Sequence, residues 1–289
     1  MSVLLNQDTK VIVQGITGRI GSVQTRWMLS YHTKVVGGVT PGKGGGTVEG
    51  LPVFDSVEEA VKETGANASV FFVPAAFTMD AFFETVDAGI GLIVVVPEHV
   101  PVHDVLRMRA YARERGAFAL GPTTPGVLVP GVGKMGIMPA AMFAPGRVGV
   151  ISRSGTLSYE FAGILSESSV GQSTVVGMGA DPVVLTNLPD LLKLFEEDRD
   201  TDAVIIVGEV GGEQEERAAD MIGNMQKPVS AYIAGKFSPQ GKRMGHAGAI
   251  VRGSSGTVDA KHAALAAAGA TILESPIDVA EWASAHNLS

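Results

Sequence analysis

Along this chain, short continuous runs of apolar residues alternate with longer stretches in which apolar positions recur every three or four residues. The runs read as buried strands and the stretches as amphipathic helices. In the first half the runs lie at 11–14, 35–39, 69–73, 92–96 and 118–120, all but the last carrying the β-branched residues common in strands covered on both faces. Helices are predicted between them at 18–31, 55–65, 77–89 and 104–116. Ser56, with Glu59 three residues on, has the capping-box spacing ahead of Val57, Ala60 and Val61. The second half repeats the scheme, with strands at 148–152, 173–176, 203–207, 229–233 and 271–273 and helices at 157–166, 188–197, 214–225, 258–268 and 277–285. Strands alternating with helices predict an α/β chain of parallel sheets wound on both faces. Five strands and five helices in the second half fit a flavodoxin-like domain. A Gly/Pro-rich interval over 121–146 marks the boundary, giving domains 1–125 and 126–289.

Composition narrows the function classes. The net charge of -8 leaves no basic stripe for a nucleic-acid backbone. Anionic ligands stay possible, because helix N-termini and a few Lys or Arg hold them locally. The absence of cysteine removes disulfides, thiolate metal sites and a cysteine nucleophile. No segment near Met1 has a signal-peptide layout and no apolar run is long enough to span a membrane. These features predict a soluble, cytoplasmic protein.

Four glycine-containing stretches and one strand-end acid carry candidate chemistry. The first, Gly15-Ile16-Thr17-Gly18-Arg19-Ile20-Gly21, follows the first strand and opens a helix, a layout that presents backbone amides to phosphate. After the second strand, where a nicotinamide enzyme places an acid, the chain has Thr40-Pro41-Gly42-Lys43-Gly44-Gly45. A lysine there suits a phosphorylated ribose, as in NADP or coenzyme A; the bland reading is a solvated loop charge. In Ser152-Arg153-Ser154-Gly155-Thr156-Leu157, Ser154 and Thr156 offer hydroxyls and Gly155 its amide to an anion, while Ser154 also reads as an ordinary helix cap. Glu209, at the end of a buried strand, is placed either to accept an imidazole N–H or to serve as a helix N-terminal acid.

The fourth, Gly241-Lys242-Arg243-Met244-Gly245-His246-Ala247-Gly248-Ala249-Ile250, presents a histidine flanked by small residues at the carboxyl edge of a predicted sheet. The other histidines sit on helical patterns or lack a partner motif, and none has metal-ligand spacing. No metal site is expected.

These motifs, in this order and over nearly the whole chain, resemble the α subunits of succinyl-CoA synthetase, within the NDP-forming acyl-CoA synthetases. Gly136-Ile137-Met138-Pro139 and Gly208-Glu209-Val210-Gly211-Gly212 add to the match. The resemblance implies a Rossmann-like CoA-binding domain followed by a flavodoxin-like ligase domain. It implies a hetero-oligomer, αβ or (αβ)2, with an ATP-grasp β subunit that binds Mg-ATP or Mg-GTP and phosphorylates His246. The phosphoryl group then passes to a carboxylic acid, and coenzyme A displaces phosphate to give the thioester, as in the tricarboxylic acid cycle. By resemblance Thr17, Gly18, Arg19, Ile20 and Lys43 hold coenzyme A, with Val96, Pro97 and Glu98 at the nucleotide end. Glu209 orients His246, Ser154, Gly155 and Thr156 hold the phosphate, and Tyr159 borders the acid.

Three segments depart from the succinate-using pattern. Gly121-Pro122-Thr123-Thr124-Pro125-Gly126 replaces the family's Gly-Pro-Asn-Cys-Pro-Gly, Val96-Pro97-Glu98-His99-Val100-Pro101 replaces Ile-Thr-Glu-Gly-Ile-Pro, and Gly179-Ala180-Asp181-Pro182 replaces Gly-Gly-Asp-Pro. The phosphotransfer residues are intact, so the departures bear on the acid: succinate, or malate, citrate or another. A non-catalytic CoA-binding regulator on the same fold is the alternative of a different class.

Overall fold

The computed structural model describes residues 3–239, 241–251 and 255–288. The chain packs as two units, Leu4–Met138 with Val183–Thr186, and Pro139–Pro182 with the residues from Asn187 onward.

In the first unit the elements run β1 (Val11–Gln14), α1 (Arg19–Ser30), β2 (Val35–Val39), β3 (Thr47–Val48), β4 (Leu51–Phe54), α2 (Val57–Thr64), β5 (Ala68–Phe71), α3 (Ala75–Asp87), β6 (Leu92–Val95), α4 (Val102–Arg115) and β7 (Phe118–Leu120). A hairpin of β8 (Gly126–Val129) and β9 (Gly133–Gly136) follows. Six strands pair in parallel in the order β4-β2-β1-β5-β6-β7, with β3 antiparallel on the edge. This is the dinucleotide-fold order 3-2-1-4-5-6, whose direction reverses between β1 and β5. The core holds Ile12, Phe71, Phe82, Ile93 and Met108, contributed by three strands and two helices. Ser56 caps α2 as its sequence predicts, accepting the Glu59 N–H at 3.2 Å, while Glu59 reaches back to the Asp55 N–H.

The second unit runs β10 (Pro145–Ser152), α5 (Gly155–Glu167), β11 (Gln172–Gly177), α6 (Leu188–Glu197), β12 (Ala203–Glu209), α7 (Gln214–Arg217), α8 (Ala219–Ile222), β13 (Val229–Ala234), α9 (Val258–Ala267), β14 (Thr271–Ile272) and α10 (Asp278–Ala285). Its five strands are parallel in the order β14-β13-β12-β10-β11, the flavodoxin order, which reverses between β10 and β12.

The structure differs from the sequence reading in three places. Strand β4 lies in a stretch whose Gly and Pro content conceals it. The predicted helix over 214–225 is interrupted at Ala218, giving two four-residue pieces. Residues 126–138, placed by sequence at the head of the second domain, pack with the first unit. There Thr33 Oγ1 donates to the Lys134 carbonyl and accepts the Lys134 N–H, each at 2.9 Å, fastening β9 to the loop between α1 and β2. Among the described residues, no helix is long and apolar enough to cross a membrane.

Lys134 is an unusual core residue of this hairpin. Its side chain is 2% exposed, its amine donates to the Met138 carbonyl at 2.7 Å, and the Trp27 ring lies 5.6 Å away. Burial pushes the amine down from 10.5 to about 8. The native charged form therefore carries a penalty below about pH 8 that is released as pH rises toward 10.5, since the unfolded chain holds its proton longer. Relative to Lys134→Met, the wild-type first unit is expected to gain on the order of 2 kcal/mol between pH 7 and pH 10. Urea unfolding followed by Trp27 fluorescence in a Trp282→Phe background measures this; an unchanging difference would show the amine to be effectively solvated.

Candidate functional site

At the carboxyl edge of the first sheet, β1 ends in a turn that folds directly into α1. Gly18 N–H donates to the Gly15 carbonyl at 3.0 Å, closing the turn. A Cβ on Gly21 would lie 2.2 Å from the Gly15 carbonyl oxygen, so only glycine lets α1 start this close to the strand. The result exposes Thr17, Gly18, Arg19 and Ile20 at the helix N-terminus. The loop after β2 comes alongside, with Thr17 Oγ1 3.2 Å from Thr40 Oγ1. Lys43 projects from this loop, which is pinned below by the Gly44 N–H on Asp55 Oδ1 at 2.8 Å. Thus Thr17, Gly18, Arg19, Ile20 and Lys43 belong to a turn, the helix start it leads into and the adjoining loop, beside the point where strand order reverses. Val96, Pro97 and Glu98 follow β6, two strands from β1, and the Pro97 carbonyl accepts the Thr123 N–H at 3.0 Å.

In the second unit the reversal between β10 and β12 gathers another group. Ser152 stands opposite Val207 in the ladder, so the residues after β10 face the end of β12, where Glu209 lies. Ser154 caps α5 through the Leu157 N–H at 3.3 Å and is itself fixed by Ser152. Gly155 and Thr156 open the helix, whose first-turn amides have no carbonyl partner within it. Tyr159 sits further along α5, its ring edge-on to Phe143 at 6.2 Å, and burial raises its phenol.

The histidine loop is a compact turn held by its own backbone: Met244 N–H donates to the Ala249 carbonyl at 2.8 Å and Ala249 N–H to the His246 carbonyl at 3.2 Å. Ala249 and Val251 are buried and anchor it. Its Gly248 N–H reaches the Ala180 carbonyl at 3.2 Å. On the other side Gly211, with φ +85°, lies so close that a Cβ would be 2.4 Å from the Gly248 carbonyl oxygen. These contacts bring His246 Nδ1 to 2.6 Å from Glu209 Oε2. The His246 side chain keeps 35% of its surface while Glu209 keeps 7%.

Behind this pair lies a chain of buried charges that carries no local sequence signal. Arg153 Nη2 is 3.2 Å from Glu209 Oε1, and Arg153 Nη1 donates to the Gly211 carbonyl at 3.0 Å and stands 3.5 Å from Glu215 Oε1. Glu215 accepts the Glu209 N–H at 3.3 Å and pairs with Lys261, which also lies 3.4 Å from Glu216 Oε2. Glu215 and Lys261 are wholly buried. Burial alone would raise the Glu215 carboxyl, yet the charges of Arg153 and Lys261 hold it below the ordinary range. A cavity of about 420 Å³, lined in part by Arg153, Pro182, Arg217, Ala247 and Gly248, opens beside the loop.

Residues 6–99 match the family described as CoA binding domain, and residues 151–271 the family described as CoA-ligase. The chain is 53% identical to succinate–CoA ligase [ADP-forming] subunit alpha 2 of Archaeoglobus fulgidus, over 97% of its own length and 98% of the relative's. Identity to the corresponding alpha subunit of Methanothermobacter thermautotrophicus is 52%, covering 95% of this chain and 93% of that one. For the Aquifex aeolicus alpha subunit the figures are 51%, 97% and 93%. Among solved structures the chain is similar to ATP citrate lyase from Methanothrix soehngenii in complex with citrate and coenzyme A, with TM-score 0.88 and 24% identity. That match covers 99% of this chain but 52% of the other, about half its length, and at this identity it speaks for the fold alone.

Removing one partner of the buried ion pair should expose its dependence on the other. Lys261→Met is expected to destabilise the second unit by about 3–5 kcal/mol, because Glu215 is left buried with less compensation. Adding Glu215→Gln should recover a large part of that loss. Denaturant unfolding followed by Trp282 in a Trp27→Phe background reports both values, and equal losses in the single and double variants would sink the idea.

Proposed function

The chain belongs to the alpha subunits of ADP-forming succinate–CoA ligase, and from that premise we propose that His246 carries the phosphoryl group of the ligase reaction. The observation that supports this most is the 2.6 Å contact between His246 Nδ1 and a buried carboxylate, with the rest of the ring partly exposed. Glu209 as acceptor favours the tautomer protonated on Nδ1, which has its lone pair on Nε2. In the first step that lone pair attacks the γ-phosphorus of a nucleoside triphosphate presented by an ATP-grasp β subunit. The Nε2–P bond forms as the bond to the diphosphate breaks, and the diphosphate leaves with the electron pair. A carboxylate oxygen of the acid then takes the phosphoryl group, restoring the imidazole. Last, the thiol of coenzyme A, losing its proton, attacks the acyl carbon and phosphate departs.

The remaining residues divide between two tasks. Ser154, Gly155 and Thr156 hold the transferred phosphate at the N-terminus of α5, where amides and helix dipole favour an anion. Tyr159 borders the acid. Thr17, Gly18, Arg19, Ile20 and Lys43 hold coenzyme A, with Val96, Pro97 and Glu98 at its nucleotide end. In functional terms the first unit binds coenzyme A and the second forms the ligase domain. The protein works in the cytoplasm as αβ or (αβ)2, with Mg-ATP or Mg-GTP on the partner.

Succinate is the acid that the relatives' names carry. One observation supports a second choice: two of the three departures from the family pattern touch, since Thr123 N–H donates to the Pro97 carbonyl. A related acid such as malate or citrate is the alternative substrate on that ground.

Mixing the chain with its own organism's ATP-grasp subunit and Mg-ATP or Mg-GTP is expected to give an acid-labile phosphate in wild type and none in His246→Ala. Discharge of that phosphate with coenzyme A and a panel of di- and tricarboxylic acids would name the substrate. No phosphate with either nucleotide would move the CoA-binding regulator to the front. For the first unit, Lys43→Ala is expected to weaken coenzyme A about tenfold, the effect of one charge-assisted contact, and to leave dephospho-coenzyme A nearly unchanged. Calorimetric titration of both ligands decides it; equal losses would mean that Lys43 does not meet the 3′-phosphate.

A further inference from the structure

A buried carboxylate next to a histidine has two possible protonation states, and they have opposite consequences. Ionised, Glu209 accepts the Nδ1–H and leaves the lone pair on Nε2. Protonated, it donates to Nδ1, which moves the ring proton to Nε2 and removes the lone pair from the attacking atom. Glu209 and Glu215 share one buried pocket, with the Glu209 N–H on Glu215 Oε1. Two carboxylates so placed favour uptake of a proton by one of them unless cations intervene.

Arg153 is that intervening cation. It is 4% exposed and fixed at Glu209, the Gly211 carbonyl and Glu215. The histidine loop also passes directly over it: a Cβ on Gly248 would lie 2.8 Å from Arg153 Nη2. Lys261 repeats the arrangement one step further in, between Glu215 and Glu216. The groups around His246 are therefore Glu209 from β12, Arg153 from the β10–α5 turn, Glu215 and Glu216 from α7, and Lys261 from α9. Lys242 and Arg243 lie exposed on its own loop, Asp181 follows the Ala180 carbonyl that Gly248 meets, and Arg217 pairs with Glu213 at the surface. Counting Glu216, which keeps 21% of its side-chain surface, three carboxylates and two cations make the set one unit negative, balanced when the ring becomes cationic.

We propose that Arg153, aided by Lys261 against the charge of Glu215, is a positioning residue that keeps Glu209 ionised and so sets the tautomer of His246. In the phosphoryl-transfer step the Nδ1 proton stays on the Nδ1 side, between ring and Glu209, while Nε2 gains phosphorus and the ring its positive charge. The surplus negative charge of the set offsets that charge as it develops. The kinetic consequence rests on the phosphohistidine reading above; the tautomer does not.

Two measurements separate the two. In the complete complex with the ATP-grasp subunit, the rate of phosphate incorporation from Mg-ATP is followed against pH. Arg153→Gln is expected to move the acidic limb upward by about one unit, a loss approaching tenfold at the acid end of the profile that is regained at higher pH. Glu215→Gln, which removes a negative charge, is expected to move it downward, and Arg153→Lys to leave it in place. In the chain alone, labelled with ¹⁵N-histidine and assigned against His246→Gln, the nitrogen spectrum should show Nδ1–H in wild type at pH 7. In Arg153→Gln it should show a growing share of Nε2–H, which reverts as pH rises.

A wild type with Nδ1–H but no phosphate overturns the phosphohistidine reading and leaves this inference standing. Arg153→Gln with the wild-type tautomer and an unmoved limb at a uniformly lower rate overturns the inference, since a merely structural residue behaves that way. Should Arg153→Gln fail to fold, Glu215→Gln decides alone: a downward limb supports the inference, and an unmoved or upward limb overturns it.

Discussion

Burying the Glu209 carboxylate is the constraint on which the second unit's site depends. A charge removed from water must be met by opposite charge and hydrogen-bond donors. No single element supplies them here. The turn after β10 brings Arg153, α7 brings Glu215, α9 brings Lys261, and the glycine loop brings His246. Each of these segments returns to the carboxyl edge of one sheet, at the place where the strand order reverses. The parallel topology provides the crevice, and the charge requirement fixes which side chains occupy it. Glycines at 211 and 248 make the arrangement possible, because any side chain there would hold the loop away from the ions beneath it.

The two units use one architectural rule for different physical tasks. In the first, the residues around the reversal point are exposed: Thr17, Gly18, Arg19, Ile20 and Lys43 present amides, charges and an apolar side chain to solvent. Such a surface suits a large anionic ligand that must come and go, since its charges stay solvated when it is empty. In the second, the ions are buried and mutually held. That suits covalent chemistry, where a reacting nitrogen must stand in one orientation and one protonation state.

Much of this was legible in the sequence, and the limits follow from the range of the signals. Apolar runs located β1, β2 and β7 to the residue, because a strand buried on both faces leaves a continuous local pattern. The cap at Ser56 was readable for the same reason, being a contact three residues long. The β8–β9 hairpin escaped because its sequence, rich in Gly and flanked by Pro, resembles a linker, and its fastening at Thr33 lies 101 residues away. Glu209 was placed by its position at a strand end. Arg153 lies inside a motif that gives it no local role, and Lys261 has no local signal either, because their partners lie 45 to 62 residues off in sequence. The sequence also offers Glu209 as a helix N-terminal acid; Glu215 and Glu216 hold that place in the first turn of α7, and Glu215 additionally turns inward to join two cations.

The asymmetry of His246 makes sense of this division. A group carrier, the role proposed for this residue, must be approached from the front by a donor and then by an acceptor, so its front cannot be walled in. The flanking residues Gly245 and Ala247 keep it open. An open loop is ordinarily a poor place to hold a ring to one orientation, because loops on the surface are mobile. Here the orientation is imposed from behind, by a carboxylate that cannot itself move without breaking an ion chain buried in the core. The loop can therefore remain glycine-rich and accessible while the ring it carries is turned to one orientation by its contact with Glu209.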